Sequence, residues 1–201
     1  SAFCLTVAFS SSIELAVWDR RYSLMAEAYR ATLSSILIPR SAGEARVVMF
    51  ASAMPQEGKT TTASNIGLAV AETRKRVLLI DGDMRAPRLH SIFGMANDVG
   101  LSDLLRGEEP LAGAPLDALV SPSRIPNLWL LPAGPKAPDA PSLLHSARIT
   151  ELLERLRREF DLILIDTPPA LQIVDARLFG RQVDAVVLVC RAGRTAKEQV
   201  S

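Results

Sequence analysis

At 201 residues and 48% hydrophobic content, the chain can bury one core of its own, so one main domain is the default. A formal net charge of +1, with 22% charged residues, excludes a protein held to nucleic acid by bulk electrostatics. The two cysteines, Cys4 and Cys190, lack metal-type spacing and read as reduced thiols, and no apolar run reaches the roughly 18–20 residues that cross a bilayer.

Ser1–Ile13 (SAFCLTVAFSSSI) is apolar, too short to span, and without a basic leader region or cleavage pattern. It fits an added strand, a partner-binding segment or the end of a membrane helix. In Glu14–Ile38, Leu15, Trp18, Tyr22, Met25, Tyr29 and Leu33 recur at helical steps, which predicts one long or two short amphipathic helices stopped by Pro39. Glu27 and Arg30 lie one turn apart and suit an ion pair within that helix, with a face toward a neighbouring subunit as the other reading.

Val47–Phe50 is a short apolar run, followed by Ala53-Met54-Pro55-Gln56-Glu57-Gly58-Lys59-Thr60-Thr61 and then by helical spacing through Ala63, Ile66, Gly67 and Val70. A strand, a phosphate-sized loop and a helix in that order predict a P-loop, although Ala53 stands where the first glycine of the usual pattern would be. Pro55, Gln56, Glu57, Gly58, Lys59, Thr60 and Thr61 are therefore the candidate nucleotide-binding residues. Backbone N–H groups and the helix N-terminus receive phosphate, Lys59 supplies a point charge, and the Thr60 hydroxyl is a candidate Mg²⁺ ligand. A chance Gly-Lys-Thr in a surface loop would need neither the strand before it nor the helix after it.

Glu72–Arg76 (ETRKR) suits a solvated helix C-terminus, where cations are favoured. Val77–Ile80 is a buried parallel strand ending in Asp81-Gly82-Asp83-Met84-Arg85, two carboxylates placed where open α/β sheets bind ligands. A plain Asp-Gly turn is the competing account. Eight of the 13 prolines fall in 100–141, a loop-rich excursion with a helical turn at Leu101–Arg106 and a strand at Asn127–Leu131. Ser142–Phe160 is an amphipathic helix. Leu162–Ile165 is a further buried strand, ending in Asp166 as a Walker B carboxylate does. Leu171–Gly180 reads as helical and Ala185–Cys190 as a last strand. Five strands separated by helices or loops predict an α/β P-loop fold, a mainly parallel sheet with helices on both faces.

The stretches AMPQEGKT, VLLIDGDMR and LILIDTPP together resemble the Walker A, A′ and B set of the bacterial tyrosine kinases of capsular and exopolysaccharide synthesis, within the deviant-Walker, MinD/ParA-like superfamily. Agreement extends to Pro87-Arg88-Leu89-His90, Gly100-Leu101-Ser102-Asp103, Leu131-Pro132-Ala133-Gly134 and Asp175-Ala176, and covers about residues 26–197. The resemblance implies MgATP-dependent transfer to tyrosine hydroxyls, with ATP and Mg²⁺ as cofactors. Lys59, Asp81, Asp83 and Arg85 become catalytic candidates, Asp81 as proton acceptor, and Thr60, Asp83 and Asp166 the metal set. It also implies work at the cytoplasmic face of the inner membrane beside a transmembrane polysaccharide co-polymerase or activator, fused or separate. Further implied partners are other copies of the chain, a tyrosine phosphatase and polysaccharide enzymes, with no nucleic acid. Residues 1–40 would then be a juxtamembrane or oligomerisation segment and 41–201 the P-loop domain, truncated at its C-terminal end.

There are departures from the family pattern. Leu33 stands where a second Arg of a Glu-x-x-Arg-x-x-Arg ring-packing helix would be, and the two tyrosines, Tyr22 and Tyr29, lie near the front, so the family's C-terminal tyrosine cluster is absent or was cut off. Gln56 replaces a loop glycine. Partitioning and division-site switch ATPases share the fold but carry a lysine at the position of Met54, and an iron–sulfur carrier would need a Cys-x-x-Cys pair. A nucleotide-binding regulatory subunit without transfer activity is the remaining alternative.

Overall fold

The computed structural model describes residues 2–7, 15–19, 23–36, 46–169, 175–193 and 195. The expected helix stop at Pro39, Tyr22, and the start of the expected helix at 171–174 lie outside them. The strands are β1 (Ala2–Val7), β2 (Arg46–Ala51), β3 (Val77–Asp81), β4 (Ser121–Pro122), β5 (Leu128–Leu131), β6 (Leu162–Asp166) and β7 (Ala185–Arg191). They form one sheet in the order β1-β7-β2-β6-β3-β5-β4, parallel throughout except for the antiparallel β4–β5 pair. The expected parallel α/β sheet is present with seven strands among the described residues rather than five. The N-terminal apolar segment supplies one extra strand, pairing with β7, and the two-residue β4 supplies the other.

The central strands are aliphatic on both sides because both faces of the sheet are covered. Val47, Met49, Leu78, Ile80, Ile163 and Ile165 point to one core, whereas Val48, Phe50, Val77, Leu79, Leu162 and Leu164 point to the other. The period-two alternation of a strand thus feeds two helical layers from a continuous apolar run. The first core is closed by α5 (Leu101–Arg106), α6 (Leu116–Leu119), α7 (Ala140–His145), α8 (Ala147–Arg157) and α9 (Asp175–Phe179). The second is closed by α1 (Ala16–Asp19), α2 (Leu24–Ile36), α3 (Lys59–Ala71) and α4 (Leu89–Phe93).

Two expected helices are interrupted. The N-terminal pattern forms the two short helices α1 and α2, and the Val17 N–H donates to Asn65 Oδ1 on α3 at 2.8 Å. The 142–160 pattern divides into α7 and α8 at Ser146, whose extended backbone (φ −71°, ψ 155°) makes it the N-cap of α8, while its hydroxyl donates to the Leu143 carbonyl. Serine favours such a position because its side chain competes for nearby backbone groups. The Glu27–Arg30 pair forms at 2.6 Å, and the same guanidinium reaches Glu72 at 2.9 Å, tying α2 to the end of α3. In the basic run that follows α3, Arg74 and Lys75 are exposed, but Arg76 lies over the rings of Trp129 and Phe160, 5.1 and 5.4 Å from their centroids.

Candidate active site

Parallel register brings the separated motifs to one edge of the sheet. Phe50 at the end of β2 lies opposite Asp166 at the end of β6, and Asp166 lies opposite Asp81 at the end of β3. All three strands point the same way, so the phosphate loop after β2 and both carboxylate stations share the carboxyl edge, where ligands bind in such sheets. Gly82 makes the close approach possible. Its N–H donates to the Asp166 carbonyl at 2.7 Å, and a Cβ there would sit 2.8 Å from that oxygen and 2.9 Å from the Phe179 ring.

The loop from Ser52 to Gly58 is built for an anion. Gly58 has φ 96°, a left-handed conformation that a side chain resists, and it precedes the first turn of the 13-residue α3. Gln56 also lies in the left-handed region, at φ 62°, although it is not glycine. That explains why a glycine suits the position: an L-residue there costs about 1–2 kcal/mol. Gln56→Gly is expected to raise stability by about 0.5–1 kcal/mol in urea unfolding, the remainder being offset by the entropy glycine loses on folding. An unchanged or lower midpoint would remove the strain argument.

Lys59 is 8% exposed, and its Nζ donates to Ser52 Oγ at 3.0 Å. Burial lowers its pKa, opposed by the charges of Asp166, Asp83 and Glu57. The Thr60 hydroxyl donates to Asp166 Oδ2 at 2.6 Å, while Asp166 Oδ1 is buried with no hydrogen-bond partner. An orphaned buried carboxylate oxygen beside a loop threonine is what a hard cation would satisfy, so these residues fit the Mg²⁺ that accompanies a nucleotide. Burial, reinforced by the neighbouring Asp81 charge, pushes the Asp166 carboxyl up to about 7.

Asp81 is fully buried, and its oxygens accept from the N–H groups of Asp83, Arg88 and Leu89 at 3.2, 2.9 and 2.9 Å. It thereby anchors the start of α4, a tie the sequence reading did not foresee. Burial pushes its pKa up to about 6 against the lowering effect of those donors. Asp83 is half-buried and holds its own turn, accepting from Arg85 and Ala86. Arg85 Nε donates to Asp175 Oδ2 at 3.1 Å; Asp175 is fully buried at the start of α9, and its Oδ1 has no partner. Asp175 is thus joined to the second carboxylate station across 90 residues of sequence. The Asp175-Ala176 match was the only sequence signal pointing to it.

Of the remaining loop candidates, Pro55 and Gln56 are exposed and Thr61 is half-buried, its carbonyl accepting from Asn65. Glu57 is 8% exposed and folds back on the loop, Oε2 accepting the Met54 N–H at 2.8 Å and Oε1 the Thr195 hydroxyl.

The AAA domain family model matches residues 45–200. Tyrosine-protein kinase YwqD of Bacillus subtilis is 37% identical over 179 residues, which cover 89% of this chain and 73% of the relative. The chain belongs to the bacterial tyrosine-protein kinase family. Tyrosine-protein kinase wzc of Salmonella typhimurium is 37% identical over 176 residues, and there the chain spans only 24% of the longer relative. Among solved structures, the kinase domain of Escherichia coli tyrosine kinase ETK superposes with a TM-score of 0.86 at 28% identity, covering 97% of this chain and 79% of that one. In this family member the candidate phosphate loop and both carboxylate stations lie along the edge formed by β2, β6 and β3.

Proposed function

We propose that this chain transfers the γ-phosphoryl group of MgATP to tyrosine hydroxyls in the machinery of capsular and exopolysaccharide synthesis. The observation that carries the reading is the meeting of Lys59, the Thr60–Asp166 contact and the Asp81–Asp83 turn at one sheet edge. The Lys59 ammonium exchanges Ser52 for phosphate oxygens, and the amides around Gly58 hold the remaining charge. Thr60, Asp83 and Asp166 would hold the Mg²⁺, which would supply neutralisation of charge on the phosphate oxygens. Asp81 accepts the tyrosine proton. With its pKa near 6, Asp81 is a stronger base than an ordinary carboxylate, and its three backbone donors fix its position. Arg85, paired with Asp175, steadies the turn that carries Asp83. Positioning and charge neutralisation supply most of the rate in such a transfer.

The proposal extends to residues 1–40 as a juxtamembrane or oligomerisation segment and 41–201 as the catalytic unit. It places the chain at the cytoplasmic face of the inner membrane beside a transmembrane activator, with other copies of the chain, a tyrosine phosphatase and polysaccharide enzymes as further partners. No described helix is long and apolar enough to cross a membrane.

A second reading is a nucleotide-binding docking subunit that transfers nothing. It is favoured by Tyr29, which is 1% exposed with its hydroxyl pKa driven far up by burial, and so is no acceptor in the folded chain. Incubation with [γ-³²P]ATP, Mg²⁺ and a Glu/Tyr copolymer separates the two. Phosphotyrosine on the polymer is expected; nucleotide binding without phosphotyrosine would assign the docking role.

A further inference from the structure

The catalytic loop contains an anion that a phosphate site should reject. Glu57 lies two residues before Lys59 and its charge acts on that lysine, so a carboxylate free to turn would compete with phosphate for the ammonium. It is instead held on both oxygens. Oε2 accepts the Met54 N–H, and Oε1 accepts the hydroxyl of Thr195, 138 residues away beyond the end of β7. Thr195 is itself fixed, its Oγ1 accepting the Arg191 N–H at 2.9 Å and its N–H donating to the Arg191 carbonyl at 3.0 Å. On the loop side, the Met54 carbonyl accepts from Ser52 Oγ at 2.7 Å, and Ser52 Oγ accepts from Lys59 Nζ. A continuous hydrogen-bonded chain therefore runs from the end of β7 through Thr195, Glu57, Met54 and Ser52 to the phosphate-binding lysine.

We propose that Glu57 and Thr195 are a pair of positioning residues that hold the phosphate loop in its binding conformation from the segment after β7. The pair keeps the Glu57 carboxylate turned away from Lys59 and fixes the Met54 peptide, whose carbonyl orients Ser52. This rests on reading the loop as a nucleotide site. Glu57 is thus a brace within the loop rather than a phosphate contact, and Thr195 acts on the nucleotide without touching it. Loss of the threonine hydroxyl leaves a buried carboxylate oxygen unpaired, which favours its rotation toward the lysine.

The test measures mant-ADP binding with Mg²⁺ for the whole chain and for Thr195→Val, Thr195→Ser, Glu57→Gln and the Val/Gln double variant, with melting of each nucleotide-free protein. Thr195→Val is expected to weaken binding about 5- to 10-fold, and Thr195→Ser to restore it to within about twofold. Glu57→Gln, which removes the competing charge, is expected to bind within about twofold of the parent, and adding it to Thr195→Val should recover most of the affinity that Thr195→Val alone loses, a non-additive result. In the kinase assay, Thr195→Val should raise KM for MgATP more than it lowers kcat. Equal affinity in Thr195→Val and the parent, no rescue by serine, or fully additive losses would each overturn the pair. If Thr195→Val melts lower, the serine rescue and the double variant still decide. A parent chain that binds no nucleotide would overturn the phosphate-site reading itself, and the pair with it.

Discussion

Lys59→Met is expected to lower phosphotyrosine formation from [γ-³²P]ATP by about 10³-fold or more, the scale on which a single preorganised charge acts in acyl and phosphoryl transfer. The physical reason is that no other described cation donates within the loop: the Lys59 ammonium, held by Ser52 Oγ, is the one poised to exchange onto phosphate. The variant should nevertheless fold. Lys59 is a buried ammonium whose pKa burial lowers, so a methionine of similar length removes a desolvated charge, and Ser52 keeps its bond to the Met54 carbonyl. Nucleotide-free Lys59→Met is therefore expected to melt at or slightly above the parent temperature. Full phosphotyrosine output from this variant would remove Lys59 from the mechanism.

Asp166→Asn should separate stability from activity through pH. In the folded chain the Asp166 carboxyl is raised from 3.8 to about 7, first by burial and then by the Asp81 charge. A folded-state value above the unfolded one means that the protonated form is favoured by folding. Its contribution is fully present below about pH 4 and is lost as pH rises through 7. At roughly 1.4 kcal/mol per pKa unit, the nucleotide-free protein forfeits on the order of 4 kcal/mol from this group between acid and pH 8. Asparagine carries no such penalty and can still accept the Thr60 hydroxyl. The variant is expected to melt several degrees above the parent at pH 8 and close to it at pH 4.5, both without nucleotide. Addition of MgADP should reverse the order at pH 8, because only the parent offers the ion the Asp166 carboxylate beside that of Asp83. Matching pH profiles for parent and variant would show that Asp166 is not the buried charge responsible.

Much of this site was legible in the sequence because each motif is local. An aliphatic run ending in Asp is a buried strand delivering a carboxylate, and two such strands parallel to the one that feeds the phosphate loop present their ends on the same edge. Once β6 lies between β2 and β3, parallel register places Asp81 beside Asp166. What was not legible joins residues far apart. The Arg85–Asp175 pair and the Thr195–Glu57 bond depend on where α9 and the segment after β7 return, which no local periodicity encodes. The break at Ser146 was missed because its apolar spacing continues through the interruption, and one serine shifts the backbone without altering the pattern. The donors that hold Asp81 in place were hidden too, because only the path of the chain into α4 brings the N–H groups of Arg88 and Leu89 to its carboxylate.

The order of strands sets when a nascent chain can acquire its ligand. β2 and β3 are never neighbours; β6 inserts between them, and it is made last of the three. Until residue 166 has left the ribosome, the loop after β2 has neither the strand beside it nor the carboxylate opposite Thr60. Nucleotide therefore cannot stabilise a partial product of synthesis, and after β3 is made both β2 and β3 wait for the strand between them through roughly 80 residues of elongation, several seconds at ordinary translation rates. During that interval the chain depends on shielding by chaperones or by its own N-terminal helices, and substitutions that slow the arrival of β6 should reduce soluble yield before they alter catalysis.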